Sequence, residues 1–393
     1  MSLSVSERMS RVAPSATGAV IALAAELRAA GRNIISLGAG EPDFPTPEHI
    51  AAAGKHAIDS GETRYTPVDG TLALKQAIRR KFAHDNSLDY EARQILVSSG
   101  AKQTCFNACL AVLNPGDEAI IPAPYWVSYP DMVKLADAIP VIVPTEIDSG
   151  FKMSVGQLRA AITDRTRLLF LNSPSNPTGA CYSRDELARL GAVLAGFPDI
   201  AIAADEIYEH IYWADEPFCS FAEACPDLYD RTITINGVSK CYAMTGWRIG
   251  YAGGPAAMIN AMKTIQSQST SNPCSISQFA AVAALDGDQS CVTSMSAAYR
   301  SRHDYVVDAL NEVPGFECRA SAGAFYAFPR VAAAMQRHGL ADDIKFSEFL
   351  LQQADVAVVP GSAFGSPGYI RISFACALEE LREAVKRMQR VVR

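Results

Sequence analysis

The chain has 393 residues, of which 49% are apolar, so it can bury the core of a large domain and of a smaller second one. Its formal net charge of −7 gives no electrostatic reason to bind nucleic acid. The first 14 residues carry Glu7, Arg8 and Arg11 without an apolar stretch, which predicts that a secretory signal is absent. No apolar run is long enough to predict a membrane span.

Ten cysteines are scattered along the chain without a Cys-x-x-Cys pair, which indicates reduced thiols in a cytoplasmic protein. The six histidines show no ligand spacing, so the sequence predicts no metal site. Composition and residue spacing therefore give no sign of a nucleic-acid, membrane or metal function, and individual residues must define the function.

Apolar runs typical of strands alternate with helical patterns from about residue 46 to residue 285. Thr46 and Pro47 predict the start of a helix that Gly61 ends, and Ser183 with Glu186 predicts a capping box for another helix. Strands are predicted at residues 94–97, 118–121, 168–171, 200–203 and 232–235. This alternation is typical of an α/β fold with a mostly parallel sheet covered by helices on both faces.

The pattern changes after residue 290. A long helix is predicted through residues 299–310, and a final helix begins at Leu378. Shorter strands are predicted at residues 324–328, 356–359 and 369–373. We therefore predict a large domain of residues 46–289 and a smaller α+β domain, in which the N-terminal segment 1–45 joins residues 290–393.

Lys240 is the most informative single residue, because it follows a predicted buried strand and precedes Arg248 by eight positions. A buried ammonium is costly unless it is paired, neutral or covalently engaged. A neutral lysine amine attacks carbonyl groups, and an arginine nearby can hold a phosphate. Together the two side chains suggest pyridoxal 5'-phosphate as the cofactor.

Two further residues fit the ring of such a cofactor. Asp205 follows the apolar run 200–203, so its carboxylate is expected at the end of a buried strand. There it can pair with the pyridine nitrogen and keep the ring protonated. Tyr208 lies three residues later and offers a hydroxyl to the phenolic oxygen.

Other segments supply the remaining contacts. Gly100 ends a predicted strand and opens a helix, whose free amides and positive end favour a phosphate. The prolines and glycine of residues 172–179 predict a stiff loop that presents Asn176. Trp126 follows two prolines and offers an indole that can stack on the cofactor. Each feature alone is more typical of ordinary packing or turns, but together they follow successive strands, where ligands bind in α/β sheets.

One segment suggests a different cofactor. Gly38-Ala39-Gly40 follows a strand-like run and resembles the start of a dinucleotide fingerprint. Asp43 stands where the third glycine is needed, and prolines at 42, 45 and 47 prevent the helix that would receive the pyrophosphate. The sequence therefore argues against a nicotinamide cofactor, and the glycines are interpreted as a loop whose backbone approaches a substrate.

The sequence resembles a fold-type I, class I aminotransferase that depends on pyridoxal 5'-phosphate, within the bacterial aspartate aminotransferase branch. The resemblance covers essentially the whole chain. It is carried by PSAT at 14–17, GAGEPDF at 38–44, RY at 64–65, PYW at 124–126, NSPSNPTG at 172–179, DEIY at 205–208, SKCYAMTGWRIG at 239–250 and YIRIS at 369–373. It implies an aspartate aminotransferase-like fold and a homodimer.

The resemblance also implies a role for each site residue. Lys240 would bind the cofactor covalently and act as the catalytic base, Asp205 would hold the pyridine nitrogen, and Asn176 and Tyr208 the phenolic oxygen. The phosphate would be bound by Gly100, Ala101, Lys102, Ser239 and Arg248 of the same chain. Tyr65 would reach the phosphate in the partner chain's site. Arg371 would bind the substrate α-carboxylate, and Gly40, Trp126 and Asn176 would line the substrate side.

The implied reaction is ping-pong transfer of an amino group from an L-amino acid to a 2-oxo acid, with aspartate or glutamate and 2-oxoglutarate or oxaloacetate as substrates. Ser15, Thr17 and Lys102 are the candidates for the distal substrate group. Some relatives that accept prephenate carry a lysine directly before the Pro-Ser segment, where this chain has Ala13.

Several alternatives stay open at this point. One is an aromatic or broad-range aminotransferase, in which Tyr125, Trp126 and Tyr129 line an apolar pocket. A lyase or decarboxylase with the same cofactor would break a different bond of the substrate Cα. A third alternative is a regulator or binding protein that keeps the fold and the cofactor without catalysis. An added DNA-binding segment would support it, and the sequence contains none.

Overall fold

A computed structural model describes residues 4–393 of the chain. The strands are β1 Ile35–Ser36, β2 Ile95–Ser98, β3 Glu118–Ala123, β4 Ile139–Pro144, β5 Thr166–Asn172, β6 Ala201–Asp205, β7 Thr232–Gly237, β8 Gly250–Gly253, β9 Tyr326–Ala327, β10 Val356–Ala357, β11 Val359–Pro360 and β12 Ile370–Ser373. The α-helices are α1 Ala16–Ala29, α2 Glu48–Asp59, α3 Leu72–Asn86, α4 Ala101–Val112, α5 Tyr129–Leu135, α6 Val155–Ala161, α7 Arg184–Leu194, α8 Phe221–Ala224, α9 Ala256–Ser269, α10 Ser275–Asp286, α11 Ser290–Asn311, α12 Ala332–Arg337, α13 Asp343–Ala354 and α14 Leu378–Val391.

A seven-stranded sheet forms the centre, in the order β2-β8-β7-β6-β5-β3-β4. Strand β8 is antiparallel to both of its neighbours, and every other pair is parallel. The predicted α/β fold with a mostly parallel sheet is therefore confirmed. The five strands predicted for this sheet are present, and none of their ends differs from the prediction by more than two residues.

Both faces of this sheet are buried, which explains the uninterrupted apolar runs in the sequence. In β5, Leu168 and Phe170 pack on one side with α4 and α9, whereas Leu169 and Leu171 pack on the other with α7. Successive side chains of a strand point to opposite faces, so covered faces on both sides require apolar residues at every position.

Two strands of the sheet escaped sequence prediction. Strand β8 consists of Gly-Tyr-Ala-Gly, and its glycines are required by close packing, since a Cβ on Gly250 would lie 2.1 Å from the Ala101 amide nitrogen. Strand β4 lies at the sheet edge and contains Pro140 and Pro144, which are tolerated there because an edge strand leaves backbone positions unpaired.

Two small sheets lie outside the central one, and one of them joins the N-terminal and C-terminal parts of the chain. Strand β1 pairs with β10, and β12 lies between β11 and β9. The predicted strand at 356–359 is split, because β10 pairs with β1 and β11 pairs with β12. The predicted strand at 324–328 is only two residues long. The division into domains of 46–289 and of 1–45 with 290–393 stays a prediction, which this separation of the sheets favours.

The helix signals were only partly correct. Ser183 and Glu186 form the predicted capping box of α7. The predicted cap at Thr46 is wrong, because α2 begins at Glu48 and the Thr46 hydroxyl donates to the Ala243 carbonyl oxygen at 2.8 Å. A distant partner has replaced the local capping contact.

The sheet topology brings the predicted functional segments to one edge. Strands β3, β5, β6 and β7 are parallel, so their carboxyl ends meet there. Strand β2 runs in the same direction as β7, because both are antiparallel to β8. The same relation places the start of β8, and Arg248 just before it, at this edge.

Candidate active site

A cavity of about 510 Å³ opens at the carboxyl edge of the sheet. Its lining includes all but two of the predicted site residues: Gly40, Ala101, Lys102, Trp126, Asn176, Asp205, Tyr208, Ser239, Lys240, Arg248 and Arg371. The two that do not line it are Gly100 and Tyr65. The fold therefore brings together side chains that are up to 331 positions apart, from Gly40 to Arg371, although their individual roles remain predictions.

Lys240 lies in the turn after β7, and its Nζ donates to the Gly40 carbonyl oxygen at 2.6 Å. Burial lowers the pKa of Lys240 to about 8, and the positive charge of Arg371 acts in the same direction. A substantial fraction of this amine is therefore neutral near pH 8, and a neutral amine is the form that attacks a carbonyl carbon.

Asp205 ends β6 and is buried below the cavity. The Tyr129 hydroxyl donates to its Oδ2, and the Ile207 amide donates to its Oδ1 at 3.4 Å. Burial raises the pKa of Asp205, whereas the Tyr129 hydrogen bond and the Lys240 charge oppose that rise. A cationic ring nitrogen is the kind of partner that would favour the ionised carboxylate here.

Tyr208 is buried and lines the cavity. Its hydroxyl lies 2.8 Å from the hydroxyl of Tyr326, and either oxygen can be the donor. Burial raises the pKa of Tyr208 well above that of a free tyrosine, so the hydroxyl keeps its proton as a donor. The Lys240 Nζ lies 5.7 Å from the centre of the Tyr208 ring.

Arg371 is buried in β12, which is the central strand of its three-stranded sheet. It donates from Nη1 to Asn176 Oδ1 at 2.9 Å and from Nη2 to the Gly38 carbonyl oxygen at 2.6 Å. Its Nε is buried and has no partner among residues 4–393. A fixed guanidinium with spare donor capacity beside a cavity can bind a carboxylate.

The N-cap and first turn of α4 carry three of the residues for which phosphate binding was predicted: Gly100, Ala101 and Lys102. Ala101 and Lys102 line the cavity in the first turn of this helix, where backbone amides have no acceptor within the helix. Gly100 has a φ of 86°, and a Cβ there would lie 2.2 Å from Arg248 Nη2. Gly100 thus makes room for Arg248 beside the helix end and does not line the cavity itself.

These observations fit pyridoxal 5'-phosphate. Arg248 and the first turn of α4 offer donors to a phosphate group. Asp205 is buried, and within residues 4–393 no cationic side chain contacts it directly, which matches a site for a protonated ring nitrogen. Lys240 offers an amine of lowered pKa in the same cavity. The donor set and the cavity therefore suit the cofactor.

The candidates for the distal substrate group also reach the cavity. Ser15 and Thr17 line it from the start of α1, and Lys102 lines it from α4. The Lys102 Nζ lies 5.0 Å from the centre of the Trp126 ring. Burial lowers the pKa of Lys102, and the Arg248 charge contributes to the shift.

The aromatic pocket considered from the sequence is only partly present. Trp126 lines the main cavity, but Tyr125 and Tyr129 border a separate small cavity. Tyr129 is held there by its hydrogen bond to Asp205 and by stacking on Phe170, with ring centres 4.5 Å apart. The expectation that all three aromatic residues line one pocket is wrong.

Tyr65 lies away from the cavity, and 92% of its surface is exposed. A role in the cavity of its own chain is therefore ruled out by its position, and the predicted role in a partner's cavity is untested.

Sequence reasoning missed Tyr326. This residue lines the cavity, and its hydroxyl contacts the Tyr208 hydroxyl. Its ring centre lies 4.6 Å from the Arg371 guanidinium carbon. The run Phe325-Tyr326-Ala327-Phe328 reads as an apolar strand. The available signal was the tyrosine itself, because a buried tyrosine hydroxyl requires a hydrogen-bond partner.

One group of possible metal ligands lies outside the cavity. Among residues 4–393, side-chain atoms of Asp85, Glu209 and His210 approach within 4.8 Å of one another. The Lys81 ammonium forms an ion pair with Glu209 and lies 3.8 Å from Asp85. One buried lysine thus already balances part of the acidic charge of this group. Within the described residues, no helix is long and apolar enough to cross a membrane.

Comparison with known proteins agrees with this geometry. The family model described as aminotransferase class I and II matches residues 32–388. The aspartate/prephenate aminotransferase of Nitrosomonas europaea is 55% identical over 98% of this chain and 99% of that protein. The corresponding protein of Cereibacter sphaeroides is 53% identical over 98% of each chain.

Solved structures give the same result. The aspartate aminotransferase of Rhizobium meliloti superposes with a TM-score of 0.95 at 46% identity, covering 100% of this chain and 99% of that one. The aspartate aminotransferase of Thermus thermophilus with maleate superposes with a TM-score of 0.94 at 41% identity, covering 99% and 100%. The aromatic aminotransferase of Pyrococcus horikoshii reaches 0.87 at 40% identity, covering 94% and 98%.

Proposed function

Because this chain belongs to the class I and II aminotransferases, we propose that its cavity binds pyridoxal 5'-phosphate and transfers an amino group from aspartate to 2-oxoglutarate. The observation that carries the proposal is the Lys240 amine, with a pKa of about 8, in one cavity with Asp205 and Arg371. A nucleophilic amine, a buried carboxylate and a carboxylate-binding guanidinium are the three groups that this chemistry requires.

Several residues would hold the cofactor. Arg248, Ser239 and the first turn of α4 would bind its phosphate, while Asn176 and Tyr208 would donate to its phenolic oxygen. Asp205 would hold the ring nitrogen in its protonated form. When bound, the cofactor supplies an aldehyde for amines and a cationic ring that withdraws electrons from the substrate Cα.

The chain's own residues would then orient the substrate and move its proton. Arg371 would bind the α-carboxylate through two parallel hydrogen bonds, which fixes the direction of the Cα–H bond. The Lys240 Nζ would take the proton from Cα as a general base. Because the enzyme stores the amino group between two half-reactions, its kinetics would be ping-pong.

The choice of aspartate is supported by two kinds of evidence. The relatives named above carry aspartate in their names, and the Thermus thermophilus protein was solved with maleate, a four-carbon dicarboxylate. In this chain Ser15, Thr17 and Lys102 line the cavity and can donate hydrogen bonds to a second carboxylate. We place the distal carboxylate of aspartate near these three residues.

Prephenate is the second candidate substrate, favoured by the names of the relatives at 55% and 53% identity. Where some relatives that accept prephenate carry a lysine before the Pro-Ser segment, this chain has the exposed Ala13 and lacks that cation. We therefore expect prephenate to be used less efficiently than oxaloacetate as the amino acceptor.

The proposal also concerns assembly and location. The exposed Tyr65 supports a homodimer in which each chain contributes to its partner's cavity. Ten free thiols, of which seven are buried, support a reducing location such as the cytoplasm.

The direct test is product analysis. The protein, loaded with pyridoxal 5'-phosphate and supplied with aspartate and 2-oxoglutarate, should form oxaloacetate and glutamate in equal amounts. Formation of alanine or β-alanine would indicate a decarboxylase, release of ammonia would indicate a lyase, and cofactor binding without turnover would indicate a non-catalytic protein. Tyrosine and phenylalanine as donors, and prephenate as acceptor, would rank the alternatives within the aminotransferase class.

A further inference from the structure

Tyr326 lies on the same face of its sheet as Arg371. In β9 it is paired with Ser373 of β12, and Arg371 is two residues from Ser373 along that strand. Residues two apart point to the same face, so the two side chains are diagonal neighbours. The Arg371 guanidinium carbon lies 4.6 Å from the Tyr326 ring centre and 5.0 Å from the Phe364 ring centre. The Tyr326 ring thus restrains the guanidinium by a cation–π contact.

The hydroxyl of Tyr326 makes a different contact. It lies 2.8 Å from the Tyr208 hydroxyl, and neither oxygen has another hydrogen-bond partner within residues 4–393. Two hydroxyl groups carry two protons, and their mutual bond uses one of them. The second proton remains available to a group in the cavity, which both tyrosines line.

Gly40 is shaped to accommodate this hydroxyl. A Cβ on Gly40 would lie 2.9 Å from the Tyr326 oxygen, so a larger residue would displace it. The carbonyl of the same Gly40 accepts the hydrogen bond from Lys240. Tyr326 therefore contacts or adjoins the predicted carboxylate-binding residue, the predicted phenolic-oxygen donor and the backbone that holds the lysine.

We propose that Tyr326 is a positioning residue with two separable functions: its ring holds Arg371 for the substrate carboxylate, and its hydroxyl donates to Tyr208. This inference rests on the function proposed above. A donor to the Tyr208 oxygen leaves the Tyr208 proton free for the cofactor's phenolic oxygen. It also strengthens that proton as a donor, because hydrogen bonds in a chain polarise one another.

Two substitutions separate the ring from the hydroxyl. Tyr326→Phe keeps the ring and should weaken binding of pyridoxal 5'-phosphate to the apo-protein by about three- to tenfold, the range for one lost hydrogen bond. Cofactor binding is measured by quenching of intrinsic fluorescence. The KM for aspartate should stay within about twofold of wild type, because the contact with Arg371 remains. Tyr326→Leu should weaken cofactor binding similarly and also raise the KM about fivefold or more.

The loaded Tyr326→Phe protein should also change its visible absorption band at a higher pH than wild type, because a weaker donor stabilises the phenolate less. Tyr299→Phe is the matched control. It removes a hydroxyl from another fully buried tyrosine of the same core cluster, and Tyr299 does not line the cavity. The control should leave cofactor affinity, spectral pH and KM unchanged.

A double-mutant cycle with Tyr208→Phe tests whether the hydroxyl acts through Tyr208. Adding Tyr326→Phe to Tyr208→Phe should cause no further loss of cofactor affinity. The inference is overturned if Tyr326→Phe behaves like Tyr299→Phe, if its loss is fully additive, or if both Tyr326 variants raise the KM equally. Failure of the proposed function is recognised separately: in that case the wild-type protein neither binds the cofactor nor transaminates aspartate. Circular dichroism and thermal unfolding identify a misfolded leucine variant, and the phenylalanine variant alone then decides.

Discussion

Arg371 and Asn176 are joined by a hydrogen bond of 2.9 Å between Nη1 and Oδ1, although they lie 195 positions apart in the chain. The bond connects β12 to the loop after β5. It fixes the orientation of the guanidinium and of the side-chain amide at once. Two residues that were assigned to the substrate and to the cofactor are thus parts of one hydrogen-bonded unit.

Replacement of Arg371 by leucine should impair every amino-acid substrate alike. The variant loses a charge-assisted pair to the α-carboxylate, which all of these substrates share, at an expected cost of about 2–5 kcal/mol in kcat/KM. Aspartate and phenylalanine should be compared by steady-state kinetics. Arg390→Leu, an exposed arginine of α14, is the control and should have no effect. A loss confined to aspartate would move Arg371 to the distal carboxylate.

Replacement of Asp205 by asparagine should slow proton removal and leave substrate affinity nearly unchanged. Asparagine keeps an oxygen for the Tyr129 hydroxyl but cannot hold a proton on the ring nitrogen. We expect kcat to fall about 100-fold or more, equivalent to ~3 kcal/mol. A larger isotope effect with α-deuterated aspartate would locate the loss in proton transfer. The exposed Asp199→Asn serves as control, and an equal loss in substrate affinity would contradict the assignment.

Much of this site could be predicted from the sequence, because its residues follow buried strands. Apolar runs located β5, β6 and β7, and the parallel topology then required Asn176, Asp205 and Lys240 to meet at one edge. The antiparallel strand β8 could not be predicted, since its Gly-Tyr-Ala-Gly sequence reflects close packing and not strand propensity.

Contacts between distant segments were the main omission. Asp205 is hydrogen-bonded to Tyr129, 76 positions away, and Tyr208 is hydrogen-bonded to Tyr326, 118 positions away. No local sequence pattern specifies such pairs. Thr46 shows the same effect on a helix signal, because its hydroxyl is taken by Ala243 in another part of the chain. Local periodicity determines where side chains can point, whereas tertiary packing determines which of them meet.

Glu206 should make stability depend on pH. Burial raises its pKa to about 8, its Oε2 has no partner among the described residues, and the charges facing it come from Glu209 and Lys81. The folded-state pKa of Glu206 exceeds the unfolded value of 4.5. The protonated Glu206 side chain therefore contributes fully to stability below pH 4.5, and this contribution is lost as the pH rises through 8. Glu206→Gln, which stays neutral, should therefore stabilise the protein by about 2–4 kcal/mol at pH 8.

The measurement is thermal or denaturant unfolding of wild type and Glu206→Gln between pH 5 and pH 8. The difference between them should widen as the pH rises. Glu216→Gln, at an exposed loop position, is the matched control and should follow wild type at every pH. A constant difference across this range would show that Glu206 does not titrate there.

Complementation between subunits should test the predicted contribution of Tyr65 to the partner's cavity. Tyr65→Ala and Lys240→Ala proteins should each be defective alone, because each lesion affects every site of its homodimer. A hybrid dimer would combine both lesions in one site and leave the other intact, so about half of a wild-type site should return per hybrid. Hybrids that form without recovery, or a fully active monomer by sedimentation, would exclude a shared site.

The most direct test of the whole account is to locate the lysine that carries the cofactor. The protein loaded with pyridoxal 5'-phosphate should be reduced with borohydride, digested and mapped by mass spectrometry. The account predicts the added mass on the peptide that contains Lys240, and no labelled peptide from Lys240→Ala, whose transamination rate should fall by several orders of magnitude. A label on Lys102 or on any other lysine would contradict it.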